Sequence, residues 1–516
     1  MEPDYLIVGS GLSALAFGAL MAESGRTVRI LEAHDTAGGY GHTFSVGPYR
    51  FNAQLHYIWN AGEGRTVNRF LRKLGLTDEV TFARLDPDGY DHMRIPGYAL
   101  DIPSDHAELA RRLTVLFPAH AKGIAGFVDE VVRTDAELES LPHAWSDWPK
   151  VLRARGYRHL LRNRNASLAD VFERHGLPPA ARALLALQWP DFLLPPSRLS
   201  FFAWVMLFAG YARGAFYPKK HFHHVTESLV RRIEAKGGEV SLRRKVVAFL
   251  LDGRRVRGVR VEHVDEHGVG NGTFEELLAR ETICNMDPQR AARMIGFEHF
   301  SSGVRARLQY EYSPSSFVAY CAVRDVDLRQ HGFGAFNVFH ADDDDLEGIF
   351  EAMHHRGDYS RISFSMSTPT LVTDEPGDCP EGEQILELLT VADHSRFLDL
   401  KLDHPKGYRD KKQEIFDRMI DVIDRAYLPG IRDKLSVHVL GSPTTSERYA
   451  WAPAGNSYGS SMLPRSIWHD RLDHRTSLDR FHFCNASSGY AGFAGTIWTG
   501  CRLYEHLTGD RVVSGA

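Results

Sequence analysis

The residues of this chain whose types and spacing suit them to chemistry begin almost at its start. The apolar run Tyr5-Leu6-Ile7-Val8 passes directly into Gly9-Ser10-Gly11-Leu12-Ser13-Ala14, and Glu32 follows about twenty positions after the glycines, as in dinucleotide-binding βαβ units. Gly9 allows the tight turn from strand to helix, Gly11 admits a pyrophosphate close to the backbone, and the free N–H groups of a helix start attract its negative charge. Glu32 can accept hydrogen bonds from a ribose diol, and its own charge disfavours a 2′-phosphate and so NADP. The plain alternative is a glycine turn in an unrelated α/β protein.

The elements that must position these residues are legible around them. Leu12, Leu15, Ala16, Ala19 and Leu20 fall at helical spacing, Ala14, Ala16 and Gly18 are small enough for close packing on a sheet, and Gly25 suits a C-terminal cap. Thr27 to Leu31 then reads as a second strand. The chain is 516 residues long, enough for roughly two to four domains. Its net charge of −5 leaves no basic footprint for nucleic acid, and its five cysteines, without a CxxC pair, fit free thiols in a reducing compartment. The first strand starts beside the initiator Met with no room for a leader, so the expected location is cytoplasmic. The most apolar stretch, Leu199 to Ala212, is too short to span a bilayer. A buried helix is its plain reading; a tunnel wall or a dip into a membrane surface, giving peripheral contact, are the others.

The residues after Glu32 narrow the nucleotide. The run Ala33-His34-Asp35-Thr36-Ala37-Gly38-Gly39-Tyr40-Gly41-His42-Thr43-Phe44, with Tyr49-Arg50-Phe51 and Leu55-His56-Tyr57-Ile58 behind it, resembles the second half of the FAD signature in a large flavoprotein group. That group includes amine oxidases, phytoene desaturases, carotenoid isomerases and retinol saturases, and the last two form the most similar branch. Asn52 and Gln54 depart from the branch, which usually has Asp and Gly there. The resemblance implies FAD, held by Gly9 to Ala14, by Glu32 and Ala33, and by Gly38, Gly39, Tyr40, Gly41, His42 and Thr43. It extends to the helix, Gly-Gly, strand and hairpin between Val225 and His263, where it implies a backbone contact to adenine near Val246, and to a strand leading to Asn285. It also covers the C-terminal strand ending at Asn485 and the helix after it. There the amides near Gly492, Phe493 and Ala494 would face the flavin N1 and C2 carbonyl, where negative charge gathers on reduction. No second glycine motif followed by an acid is present, so no separate NAD(P)H site is expected.

One stretch departs more sharply. Where the family usually carries Gly-Gly after Tyr-Pro, this chain has Tyr217-Pro218-Lys219-Lys220-His221-Phe222-His223-His224. Histidine titrates near neutral pH and a desolvated lysine can, so Lys219 and His221 join His56 and Tyr57 as candidate catalytic residues. A solvated basic turn is the plain alternative. A metal site is disfavoured, because no carboxylate or cysteine stands at ligand spacing.

The expected architecture is α/β. A Rossmann-type FAD-binding domain is assembled from residues 1–103, 214–298 and 441–516, with a helical insertion over 104–213 and an α+β substrate domain over 299–440. The expected function is FAD-dependent hydride transfer between flavin N5 and an apolar polyene or isoprenoid-like substrate, as desaturation, saturation or cis–trans isomerisation. Two rivals stand beside it. A flavin amine oxidase would need an aromatic cage, for which Tyr490, Phe493 and Trp498 are available; a non-enzymatic prenyl- or lipid-binding escort protein would need no bound flavin.

Overall fold

Five short strands drawn from both ends and the middle of the chain lie side by side in one parallel sheet, in the order Phe481–Phe483, Glu281–Cys284, Tyr5–Val8, Val28–Leu31, Glu239–Ser241. The computed structural model that defines them describes residues 2–141, 156–373, 377–468 and 470–513. Strand alternation divides the apolar side chains between two faces. Ile7, Ile30 and Ile283 enter one core cluster, while Leu6, Val8, Leu31 and Cys284 enter another.

The first helix, Leu12–Glu23, is apolar all round and is buried at every position from Leu12 to Ala22, as a helix covered on all sides must be. It belongs to the Ile7 face and packs against both the helix Phe222–Ala235 and the last helix, Phe493–Thr508. The last helix comes very close at Gly500. A Cβ there would stand 2.5 Å from the Ser13 carbonyl oxygen and 3.0 Å from the Phe17 nitrogen, so only glycine fits.

The strands Arg244–Asp252, Arg255–Val264 and Gly270–Leu278 form an antiparallel sheet whose inner residues Phe249, Val256, Val259 and Val261 cover the Leu6 face. The Asp252-Gly253 turn predicts its hairpin. Its third strand is exposed almost throughout and has no apolar alternation, so only the structure reveals it.

A larger sheet orders Leu435–Gly441, Ser315–Val323, Gln384–Ala392, Ser363–Ser367, Asn337–Ala341, Asp91–Ile95 and Tyr98–Ile102. The last two strands fall within residues 1–103, yet they join this sheet and not the parallel one. Asp91–Ile95 pairs in parallel with Asn337–Ala341, a segment far away in the chain, and no local pattern announces such a pairing. Between 106 and 212 the described chain is mainly helical, as its apolar stripes predict; residues 142–155 of that insertion lie outside the described residues. Its apolar helix Phe201–Ala212 is buried except at Met206 and Leu207, which line a cavity. Among the described residues no helix is long and apolar enough to cross a membrane.

Because backbone atoms face Gly500, a methyl group there must push the two helices apart. Gly500→Ala is expected to destabilise the protein by about 1–3 kcal/mol, the usual range for overpacking, read as a lowered urea midpoint. An unchanged midpoint would show that the contact is looser than the structure has it.

Candidate active site

The N-terminal turn is knitted to the other two sheet segments by one side chain. Asn285 accepts a 2.8 Å hydrogen bond from the Gly11 N–H, and its amide donates to the Ser13 hydroxyl at 2.9 Å and to the Cys484 carbonyl at 2.5 Å. Ser13 in turn donates to the same carbonyl at 3.0 Å. The Glu32 carboxylate receives the Ser10 N–H at 2.8 Å, the Ser10 hydroxyl at 2.5 Å and the His34 N–H at 2.9 Å, which fixes it beside the turn. Ala33 lies between these contacts. The N–H groups of Arg244 and Arg243 donate to the carbonyls of Glu32 and His34, so the strand carrying Val246 starts next to the acid, with a bulge just after Val246.

The second glycine run closes over the first. The Gly38 N–H donates to the Ser10 carbonyl at 3.0 Å, and Gly38 and Gly39 take φ values of 119° and 56°, the region open to glycine. Behind them Gly41 and Thr43 are buried, His42 has its proton affinity lowered by burial, and the Tyr40 hydroxyl reaches the Asn456 carbonyl at 2.7 Å.

The last helix begins at Gly492, φ 76°, and like the first helix it has no side-chain cap. Two uncapped helix starts, an acid fixed beside one of them and glycines where backbone must approach backbone form a donor set that fits a flavin dinucleotide: N–H groups for a diphosphate and for an electron-rich ring, a carboxylate for a ribose. Asn485 contributes indirectly. Its amide donates to the carbonyls of Met286 and Cys284, and its oxygen caps the turn Ala486–Ser488, so it positions the strand end that leads to the helix.

A cavity of about 770 Å³ lies along the last helix. Gly495, Trp498, Thr499 and Arg502, at helical spacing, line it over about 10 Å. The opposite wall is the apolar helix, through Phe202, Ala203, Met206, Leu207 and Tyr211, so the buried-helix and tunnel-wall readings of that segment are both realised. His56, Tyr57, Gly492, Phe493 and Ala494 all reach this one space. His56 Nδ1 lies 3.0 Å from the buried Glu387 carboxylate, and its Nε2 has no hydrogen-bond partner. The Tyr57 hydroxyl lies 2.8 Å from Asp191 and 3.0 Å from Asp91, and its ring stacks on Tyr211 at 4.0 Å. Burial raises the Tyr57 hydroxyl well above its ordinary pKa.

Lys219 and His221 are not brought into this space. Lys219 is exposed, while His221 takes φ 74°, a glycine-favouring conformation at a stretch where the family usually has glycine, and contacts Arg50. Burial, reinforced by Arg50, pulls the His221 pKa down to about 3, so it is a neutral imidazole outside the cavity wall. The basic turn thus lies beside the cavity rather than in its lining, although Phe222, next to His221, packs on the cavity residue Phe493 with ring centroids 5.6 Å apart.

Several cavity residues escape sequence reasoning. Glu387 stands in the strand Gln384–Ala392, otherwise buried and largely apolar, and a lone acid there is a signal that a partner waits across the sheet. Asp191 hides in Trp189-Pro190-Asp191. Arg471 is buried, donates to the carbonyls of Gly489 and Ala486 and lies 5.2 Å from the Tyr490 ring, thereby fixing the approach to the last helix.

Residues 7–74 match the model of the NAD(P)-binding Rossmann-like domain family. An all-trans-retinol 13,14-reductase from Danio rerio is 25% identical over 96% of this chain and 84% of its own length. A chloroplastic prolycopene isomerase from Arabidopsis thaliana is 22% identical over 95% and 79%. Among solved structures, a putrescine oxidase double mutant with redesigned cofactor binding aligns over 99% of this chain and all of its own, at 14% identity and a TM-score of 0.65, a likeness of fold. Over nearly its whole length this chain is thus similar to a reductase of retinol and to an isomerase of prolycopene, and its fold is that of a putrescine oxidase.

Proposed function

We propose that the protein binds FAD and moves a hydride to or from a carbon–carbon double bond of a polyene or isoprenoid-like molecule held in the cavity. The carrying observation is the cavity itself: long, largely apolar, and shared by the start of the last helix with His56 and Tyr57. The two relatives, named for a retinol and for prolycopene, support a polyene of this kind. When bound, the flavin supplies the hydride chemistry. The chain's own residues orient the substrate between Trp498 and the apolar helix, exclude water and place polar groups at one end. Glu387 holds His56 through Nδ1, leaving Nε2 free for a hydrogen bond to substrate or flavin edge.

An amine substrate fits less well. Two of the three aromatic residues that would cage an ammonium group already have guanidinium groups over them, Arg471 on Tyr490 at 5.2 Å and Arg502 on Trp498 at 5.7 Å. The five cysteines are free thiols, which supports a reducing, cytoplasmic setting.

The direct test is anaerobic spectroscopy of the purified protein against polyenes, isoprenoid lipids and amines. Bleaching or reoxidation of bound flavin by a polyene or isoprenoid is expected; a response to amines alone, or no flavin at all after reconstitution, would sink the reading. Glu32→Arg should raise the Kd for FAD at least about tenfold, about 1.4 kcal/mol, by losing the ribose acceptor and its contacts to Ser10. Equilibrium titration with FAD checks this. His56→Ala should retain FAD and lose about 10²-fold or more in turnover, whereas His221→Ala and Lys219→Ala should stay within about threefold of the parent. The reverse ranking would return the catalytic role to the basic turn.

A further inference from the structure

Beside the cavity, two carboxyl groups compete for a single hydroxyl. Tyr57 has one proton to donate and lies within hydrogen-bond reach of both Asp191, at 2.8 Å, and Asp91, at 3.0 Å. Asp91 is fully buried and also accepts from the amides of Gln188 and Asn337, the latter at 3.1 Å. Asp191 has only Tyr57 and lines the cavity. Among the described residues no Lys, Arg or His forms an ion pair with either acid. The other groups packed around them are Tyr90, Tyr211 and Tyr458, all phenols that burial keeps protonated, and His56 is held by Glu387 instead.

Two anions joined through one hydroxyl, with no cation beside them and with Asp91 fully buried, repel each other, so one carboxyl retains a proton. Two amide donors favour the ionised form at Asp91 whichever acid Tyr57 serves, and Asp191 has no donor besides Tyr57. The proton therefore resides on Asp191, the acid that faces the cavity. In accord with this, burial lifts Asp91 to about 7, and burial together with the Asp91 charge lifts Asp191 well above the carboxylate range.

We propose that Asp191, with its proton secured by Tyr57 and Asp91, is the acid that protonates the substrate, and that the enzyme therefore runs as a saturase. This rests on the hydride-transfer reading of the cavity. Saturation adds a hydride and a proton across a C=C bond. The hydride carries both electrons and comes from a reduced flavin, which is oxidised as the alkene is reduced. The proton comes from Asp191: its O–H bond breaks as a second C–H bond forms on the carbon holding the displaced π pair, and the carboxylate left behind recovers a proton from solvent. Desaturation would instead need Asp191 to rest as a base, the form its surroundings disfavour.

The proton can be observed without turnover. In infrared spectra of the flavin-loaded protein at about pH 8.5, where Asp91 by itself would be ionised, a carbonyl stretch of a protonated carboxyl, shifted in heavy water, is expected in the parent and absent from Asp191→Asn. Asp191→Asn should also slow saturation about 10²-fold or more, the usual weight of a general acid, with substrate binding kept. In the parent, the rate should fall as pH rises and the shared proton is lost. Absence of the band from the parent, its survival in Asp191→Asn, or an undiminished rate in Asp191→Asn overturns the proposal. If the band behaves as expected and no polyene or isoprenoid is reduced, the shared proton stands while the hydride-transfer reading and the donor role fall together.

Discussion

Everything at this site hangs on the hydrogen bonds of Asn285. One carboxamide takes the Gly11 N–H, the Ser13 hydroxyl and the Cys484 carbonyl, and so ties the first strand's turn to segments more than 190 residues further along. An amide suits this junction because it carries an acceptor and two donors in one plane without a charge to desolvate. Held this way, the first helix and the last start uncapped and packed together, with Gly500 permitting the approach. Their N–H groups are then available to a negatively charged ligand in place of the side chains that would normally cap them.

The cavity shows the opposite economy. Its walls include apolar side chains from the insertion and from the last helix, while three of the polar groups in or behind them are held by other segments. Glu387 holds His56, Gln188 and Asn337 hold Asp91, and backbone carbonyls hold Arg471. Polar groups buried in this manner keep their geometry before any ligand arrives, which is what orientation of a reacting carbon requires. The larger sheet matters here as a support: Asp91, Asn337 and Glu387 all stand on its strands, so the groups that hold Tyr57 and His56 are fixed by one hydrogen-bonded sheet.

The legible and illegible parts of the chain differ in the range of the interactions that decide them. The glycine turn, Glu32, the Asp252-Gly253 hairpin and the C-terminal strand and helix are written in neighbouring residues, and each has its expected form. The strand Gly270–Leu278 is an exposed edge with no alternation, and the strand Asp91–Ile95 depends on a partner near residue 340. Lys219 and His221 have side chains suited to proton transfer, yet chemical type says nothing of which way a helix start points. Sequence alone would keep them as candidates; the fold leaves Lys219 in solvent and gives His221 to Arg50.

The amino-acid order by itself therefore determined an α/β chain that opens on a Rossmann-like turn and closes on a strand and helix packed beside it, because turn glycines, a spaced acid and an apolar helix act over a few residues. Tertiary structure alone decided which polar groups share the cavity. Glu387 meets His56 across more than 300 positions and Asp191 meets Tyr57 across more than 130, and contacts at such separation arise from packing the two sheets and the insertion together, which no local pattern of residues encodes.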